Sequence, residues 1–396
     1  MSDSCGWFSN PVLMVTPTKA GGTLFANLLD GNKEMFVFPD APFFRLLTQR
    51  KYSSGKHMIM DWILGGRFPG HQLETELLNF DRNNEYIPIP EEYLDLPLFQ
   101  IKLKGHLPAI ENRQDCFSFD IYYKQLLESL KKADPESNTL AKDIIYLTVA
   151  ALISGIKGRY KDELRSRKAW AFRCEYAPSS SLISKWKVPN EYIDDFSRMF
   201  PNGKIICLVR GPQGLMASRK GHPSFAKYRK KSNLFRRLYL TVQDASIINN
   251  TYEMLFTYLS QYSPQRLKVV SYEELCIDTE NTMRNICDFI GISFSPVMEL
   301  PTVFGRNTKV ITARKISGNS VDKSRTIAWK KELTKFEVLL VESFIFDNRK
   351  KIKELWNYEA SFSWVTVLSF RFIFVLPSIG VLRVLGWFHA KKKEIV

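Results

Sequence analysis

Two stretches of this 396-residue chain gather residue types that hold anions. The first is Thr16-Pro17-Thr18-Lys19-Ala20-Gly21-Gly22-Thr23-Leu24. It lies between an apolar run, Pro11–Val15, that reads as a short buried strand and a segment, Thr23–Leu29, that can start a helix. In that setting successive backbone N–H groups converge on an anion, and the helix N-terminus adds a favourable dipole. Gly21 and Gly22 remove side chains so that a phosphate can approach the backbone. Thr23 offers a hydroxyl donor and Lys19 a mobile positive charge. The nucleoside-triphosphate loop GxxxxGK[ST] places its Lys after the last Gly. Here Lys19 precedes both glycines, so that pattern fails. Taken alone, the segment is equally readable as an ordinary Gly-Gly turn.

The second stretch is Lys204-Ile205-Ile206-Cys207-Leu208-Val209-Arg210, followed by Gly211-Pro212 and, eight positions after the Arg, Ser218. An apolar strand that ends in Arg delivers a planar guanidinium, which can donate two parallel hydrogen bonds to a terminal phosphate. Ser218 can add a hydroxyl from the early turns of the next helix. The competing reading is a strand-end Arg in a structural ion pair.

The elements that must position these loops form an alternating series. Strands are expected at Met35–Phe38, Leu98–Leu103, Trp170–Arg173 and Lys268–Ser271 as well. Helices are expected at Phe119–Lys132, Lys142–Ser154, Asn190–Met199, from Gly214, at Leu234–Gln261 and at Thr279–Ile290, the last stopped by Gly291. Residues 43–97 read as mixed helix and loop with Pro punctuation. Short apolar strands alternating with helices point to an α/β fold with a mainly parallel sheet. Two anion loops at strand ends of one such sheet describe a site for a nucleotide with two phosphate groups.

The order of these motifs resembles the sulfotransferase family, across roughly residues 11–346. The first loop is similar to that family's 5′-phosphosulfate loop, T/R-x-x-K-S/A-G-T/S-T/S, with Gly22 in place of the usual hydroxyl residue. Arg210-Gly211-Pro212 with Ser218 resembles the 3′-phosphate motif, with Gly211 in place of Asp. Trp170 to Pro178 and Met199 to Lys204 look like the W-x-x-E-K-x-P and F-P-x-A-K segments, Tyr176 replacing the Lys. Leu267–Leu275 is similar to the strand plus Y-E-x-L element, which is mostly architectural. Ser317 to Ser320 and Arg325 to Leu333 look like the C-terminal loop that covers the donor.

The resemblance implies a three-layer P-loop-like fold and 3′-phosphoadenylyl sulfate as sulfuryl donor, with no metal. It implies that Thr18, Lys19, Ala20, Gly21, Gly22, Thr23, Leu24, Arg210, Ser218, Arg314, Lys315 and Gly318 bind that donor, with Lys19 also serving the leaving phosphate. Two residues are candidates for the base. His106, in Lys104-Gly105-His106-Leu107-Pro108, is similar to the K-T-H-L-P segment, and an imidazole suits an alcohol proton. Glu175 is the second, its alternative being a structural partner of Arg173 or Lys19. The expected partner is a hydroxyl-bearing acceptor: a carbohydrate, a lipid or glycolipid, or a small alcohol. A nucleotide kinase or other P-loop phosphotransferase and a non-catalytic binding protein of the same fold are the competing readings.

The bulk of the sequence is compatible with these readings. With 56 Lys and Arg against 41 Asp and Glu, the formal charge is +15, which favours anionic partners. The basic residues are scattered without a nucleic-acid module, so nucleic acid is not expected. Six cysteines without CxxC pairing or a His cluster argue against zinc or a disulfide framework and fit a reducing, cytoplasmic compartment. No signal peptide is legible. A catalytic domain is expected over residues 1–358 and a separate apolar segment with a basic tail over 359–396. Ser361–Phe388 is long enough to span a bilayer, but Arg371, Arg383 and Pro377 interrupt it. A helix lying on the membrane surface through residues 361–393, or a buried or dimer-forming element, fits better.

Overall fold

The computed structural model describes residues 6–17, 19–38, 118–130, 132–176, 188–221, 234–307, 321–356 and 360–375. Thr18, His106, Arg314, Lys315, Gly318, the strand expected at Leu98–Leu103 and the region 43–97 lie outside them.

Five parallel strands form the central sheet: β1 (Pro11–Pro17), β2 (Met35–Val37), β3 (Ala169–Tyr176), β4 (Lys204–Val209) and β5 (Leu267–Ser271), in the order β2-β3-β1-β4-β5. Helix α1 (Gly22–Leu29) leaves β1. Then follow α2 (Phe119–Leu130), α3 (Leu140–Gly155), α4 (Val188–Met199), α5 (Pro212–Gly221), α6 (Leu234–Gln261), α7 (Tyr272–Ile277) and α8 (Thr279–Ile290). A two-strand ribbon, β6 (Thr302–Val303) and β7 (Arg306–Asn307), precedes α9 (Lys335–Phe344), α10 (Arg349–Trp356) and α11 (Trp364–Phe370).

Period-2 alternation sends each strand's side chains to two cores. Leu13, Val15, Trp170, Phe172, Ile205 and Cys207 join the core built on α2–α6 and α9. Val12, Met14, Ala171, Ile206, Leu208 and Val270 face α1, α7 and α8. Burial on both faces is why β1 and β4 read as unbroken apolar runs. It gives the three-layer α/β fold that the sequence implies.

β3 is longer than the expected Trp170–Arg173, since it runs to Tyr176. Its extra residues are held by the register Val15↔Cys174, Thr16↔Glu175 and Pro17↔Tyr176 on β1. The polar Glu175 hid that extension from the hydrophobic pattern. Helix α8 begins and ends as expected: Asp278 caps it by accepting from the Asn281 N–H, and Gly291 terminates it with φ of 88°.

Near the C-terminus α11 continues as a π turn, Arg371–Val375. The fully buried carboxylate of Glu342 on α9 accepts from the N–H groups of Ser361 (2.7 Å) and Phe362 (3.2 Å) and from Gln213 Nε2 on α5 (3.0 Å). Arg371 makes a two-pronged pair with Asp347 at 2.7 and 2.6 Å. Among the described residues no helix is long and apolar enough to cross a membrane.

Candidate active site

The sheet order places the two anion loops at one point. On leaving β1 the chain goes out to β2 and returns to β3 on one side, then crosses to β4 and β5 on the other. The loops after β1 and β4 therefore diverge to opposite faces and leave a crevice between them, the usual ligand position of such sheets.

In the first loop, Ala20 N–H donates to the Pro17 carbonyl at 2.9 Å and closes a tight turn. Lys19 has φ of 78° and Gly21 has φ of 100°, while Ala20 between them is not in that region. Alternation of this kind turns successive N–H groups to one side and forms a concavity for anions. Gly21 caps α1 with no side-chain hydrogen bond, and no acidic residue lies in the first turn. No acidic side chain in the first turn of α1 itself offsets the dipole of the helix N-terminus.

The glycines also have a packing cause. A Cβ on Gly21 would fall 2.5 Å from Cε2 of Tyr272, and one on Gly22 would fall 2.6 Å from Thr16 Oγ1. Packing against the protein, as well as positive φ at Gly21, excludes side chains at these positions. The same contact explains the missing hydroxyl at position 22, since any side chain there would displace Thr16.

The second loop is joined to the first by Arg210, which is 9% exposed. Its Nη1 donates to the Lys19 carbonyl at 3.4 Å and its Nη2 to the Arg325 carbonyl at 3.1 Å. Its guanidinium lies over the Tyr272 ring at 4.3 Å, a cation–π contact. Tyr252 fixes the strand end by donating its hydroxyl to the Arg210 carbonyl at 2.6 Å. The Gly211 N–H donates to Glu273 Oε1 at 3.1 Å. Burial pushes the Glu273 carboxyl upward, opposed by Arg210 and by that N–H. A Cβ on Gly214 would meet Arg210 Nε at 2.9 Å, so Arg210 leans on the first turn of α5.

Lys19 to Thr23 form one loop and helix start, which Arg210 meets at the Lys19 carbonyl, while the side chains of Ala20 and Leu24 are buried in the two cores. Ser218 is half-buried on the second turn of α5. Glu175 lies on β3 in register with Thr16, at the end of the strand where the first loop begins. Sequence reasoning left Tyr272 and Glu273 as architecture and gave Arg173 no site role. Tyr272 is the plate between the two loops, and the Y-E-x-L pattern was its only signal. Cys207 lies in the core, where burial pushes its thiol up to about 12.

The sulfotransferase family profile matches residues 11–296, a span that contains both loops. The chain belongs to the sulfotransferase family. No curated protein matches the sequence. Among solved structures it is similar to the sulfotransferase domain of the Synechococcus PCC 7002 olefin synthase, with 18% identity, 85% of this chain and 94% of that one covered, and a TM-score of 0.42. It is also similar to the sulfotransferase domain from the curacin biosynthetic pathway, at 14% identity, 86% and 97% coverage and a TM-score of 0.45. A retinol dehydratase solved with androsterone and the inactive cofactor PAP aligns at 14% identity, 88% and 84% coverage and a TM-score of 0.35.

In this sulfotransferase the helix after the second loop is anchored on two sides. α5 is tied to α6 by a buried Arg219–Asp244 pair at 2.9 Å and to the start of α9 by Lys220 on Glu337 at 2.7 Å. The segment Lys323–Thr326 reaches the site through its backbone, because the Arg325 carbonyl is an acceptor for Arg210.

Proposed function

We propose that this sulfotransferase moves a sulfuryl group from 3′-phosphoadenylyl sulfate to a hydroxyl or amine acceptor by in-line displacement. The observation that carries the reading is the junction of the two loops, where Arg210 of the second is hydrogen-bonded to the Lys19 carbonyl of the first. The residues present suit a donor with phosphates at both ends of one nucleoside. At one end are an uncapped helix N-terminus and a turn with positive φ at Lys19 and Gly21. Thr16 Oγ1 and Arg210 Nε are buried with no hydrogen-bond partner among the described residues, so polar capacity is left over beside both loops.

The donor supplies the sulfuryl group and departs as adenosine 3′,5′-bisphosphate. Lys19 and the Gly21–Thr23 amides stabilise negative charge on the leaving phosphate oxygen. Arg210 and Ser218, with Arg314, Lys315 and Gly318, hold the 3′ end. His106 or Glu175 takes the acceptor proton as the new bond to sulfur forms. Lys19 gains from its strained backbone position, which fixes where its side chain leaves the loop.

The acceptor we favour carries a hydroxyl on a carbohydrate, lipid or small alcohol. An outward apolar face on the C-terminal segment, with Trp364 at 62% and Phe372 at 62% exposure, supports the lipid or glycolipid option and peripheral membrane contact. Buried Cys207, Cys276 and Cys287, none of them in a disulfide, support a cytoplasmic setting.

The test is calorimetry with adenosine 3′,5′-bisphosphate and with ATP, followed by an acceptor screen with labelled donor beside a Lys19→Ala control. Bisphosphate should bind and ATP should not, and transfer should fall in the variant. Preference for ATP would support a phosphotransferase. Tight bisphosphate binding without transfer to any acceptor would support a non-catalytic member of the family.

A further inference from the structure

Arg173 on β3 is a buried cation that no role so far explains. It is 4% exposed and lies opposite Met14 of β1, one strand away from the first loop. Its Nη1 donates to Thr23 Oγ1 at 2.6 Å. Thr23, by contrast, is exposed, on the first turn of α1 immediately after Gly21 and Gly22.

This contact fixes the polarity of the Thr23 hydroxyl. A guanidinium has donors only, so the Thr23 oxygen must accept and its own proton is left for another acceptor. The usual local sink for a helical Thr proton is the carbonyl four residues back. Here that is the Lys19 carbonyl, and among the described residues Thr23 Oγ1 makes no bond to it, its one hydrogen bond being the one from Arg173. A hydroxyl anchored from beneath by a buried cation, at the mouth of an uncapped helix N-terminus, is arranged to donate to an anion.

We infer that Arg173 is a positioning residue for the 5′-phosphosulfate: it holds the Thr23 hydroxyl as a donor to that group. This rests on the donor reading above.

The test compares two ligands, adenosine 3′,5′-bisphosphate and adenosine 3′-phosphate, which lacks the 5′ group. Both are titrated by calorimetry into the wild-type chain and into Thr23→Val, Arg173→Met, Arg173→Lys and the Thr23→Val/Arg173→Met double variant. Each of Thr23→Val and Arg173→Met should weaken the bisphosphate roughly tenfold or more, the range for a hydrogen bond to a charged group, and leave the monophosphate unchanged. The double variant should be little worse than either single one, because the two residues act as a unit. Arg173→Lys, which keeps a charged donor, should retain part of the preference.

If the wild type itself does not favour the bisphosphate, the donor reading fails and this inference with it. If the wild type favours it and Arg173→Met keeps the full preference, or loses both ligands equally, Arg173 has no such role and the donor reading stands. Should Arg173→Met not fold, the exposed Thr23→Val decides: an undiminished preference there overturns the inference.

Discussion

Lys19 is in the left-handed region at φ of 78°, where an L side chain costs roughly 1–2 kcal/mol. Lys19→Gly and Lys19→Ala should both lose transfer, since each removes the ammonium. Only Lys19→Gly also relieves the strain, so it should be more stable than Lys19→Ala by about 1 kcal/mol in urea unfolding. Equal stabilities would show that the loop relaxes freely. Gly21→Ala combines positive φ with a Cβ against the Tyr272 ring and should destabilise by about 1–3 kcal/mol, the range for overpacking. Bisphosphate binding should drop with it, because Tyr272 also carries Arg210.

At the level of elements, the second loop depends on what holds α5. Glu337 sits in a capping box at the start of α9 and binds Lys220 of α5. Burial alone would raise its carboxyl, but Lys220 and the Thr334 N–H outweigh that and hold it below the ordinary value of 4.5. A carboxylate lowered in the folded state binds fewer protons than in the unfolded chain, so its stabilisation is present above about pH 4.5 and is lost as pH falls further. Acid unfolding followed by circular dichroism should therefore be less steep for Glu337→Gln below that pH. An unchanged profile would remove Glu337 from the acid response. Glu342 has the equivalent part at the other end of α9, where three donors converge on one buried carboxylate. Glu342→Ala should cost about 3 kcal/mol or more, as those donors lose a buried acceptor. Faster hydrogen exchange at the Ser361 and Phe362 amides would report that residues 361–362 have come loose.

For the whole molecule, a charge of +15 should make capture of the proposed anionic donor a long-range event. The Debye length falls from about 10 Å at 0.1 M salt to about 3 Å at 1 M. Stopped-flow association of the bisphosphate should slow markedly across that range while its dissociation changes little; a flat association rate would confine the attraction to the site itself.

Unbroken apolar runs specify β1 and β4, and the spacing from Lys19 through Gly21 to Arg210 and Ser218 marks two candidate anion loops, because run length and residue type are local properties of the chain. Sequence also placed α8 with its Gly291 stop. Three features required the tertiary structure. The sheet order alone brings residue 19 next to residue 210. Tyr272 and Thr16, far from or behind the glycines in the chain, explain why no side chain fits at Gly21 and Gly22. Arg173 read only as the last residue of an expected strand, yet it is a buried donor to Thr23, 150 positions away in the chain. Each is a contact between distant segments, fixed by strand order and packing, and such contacts leave no period in the sequence.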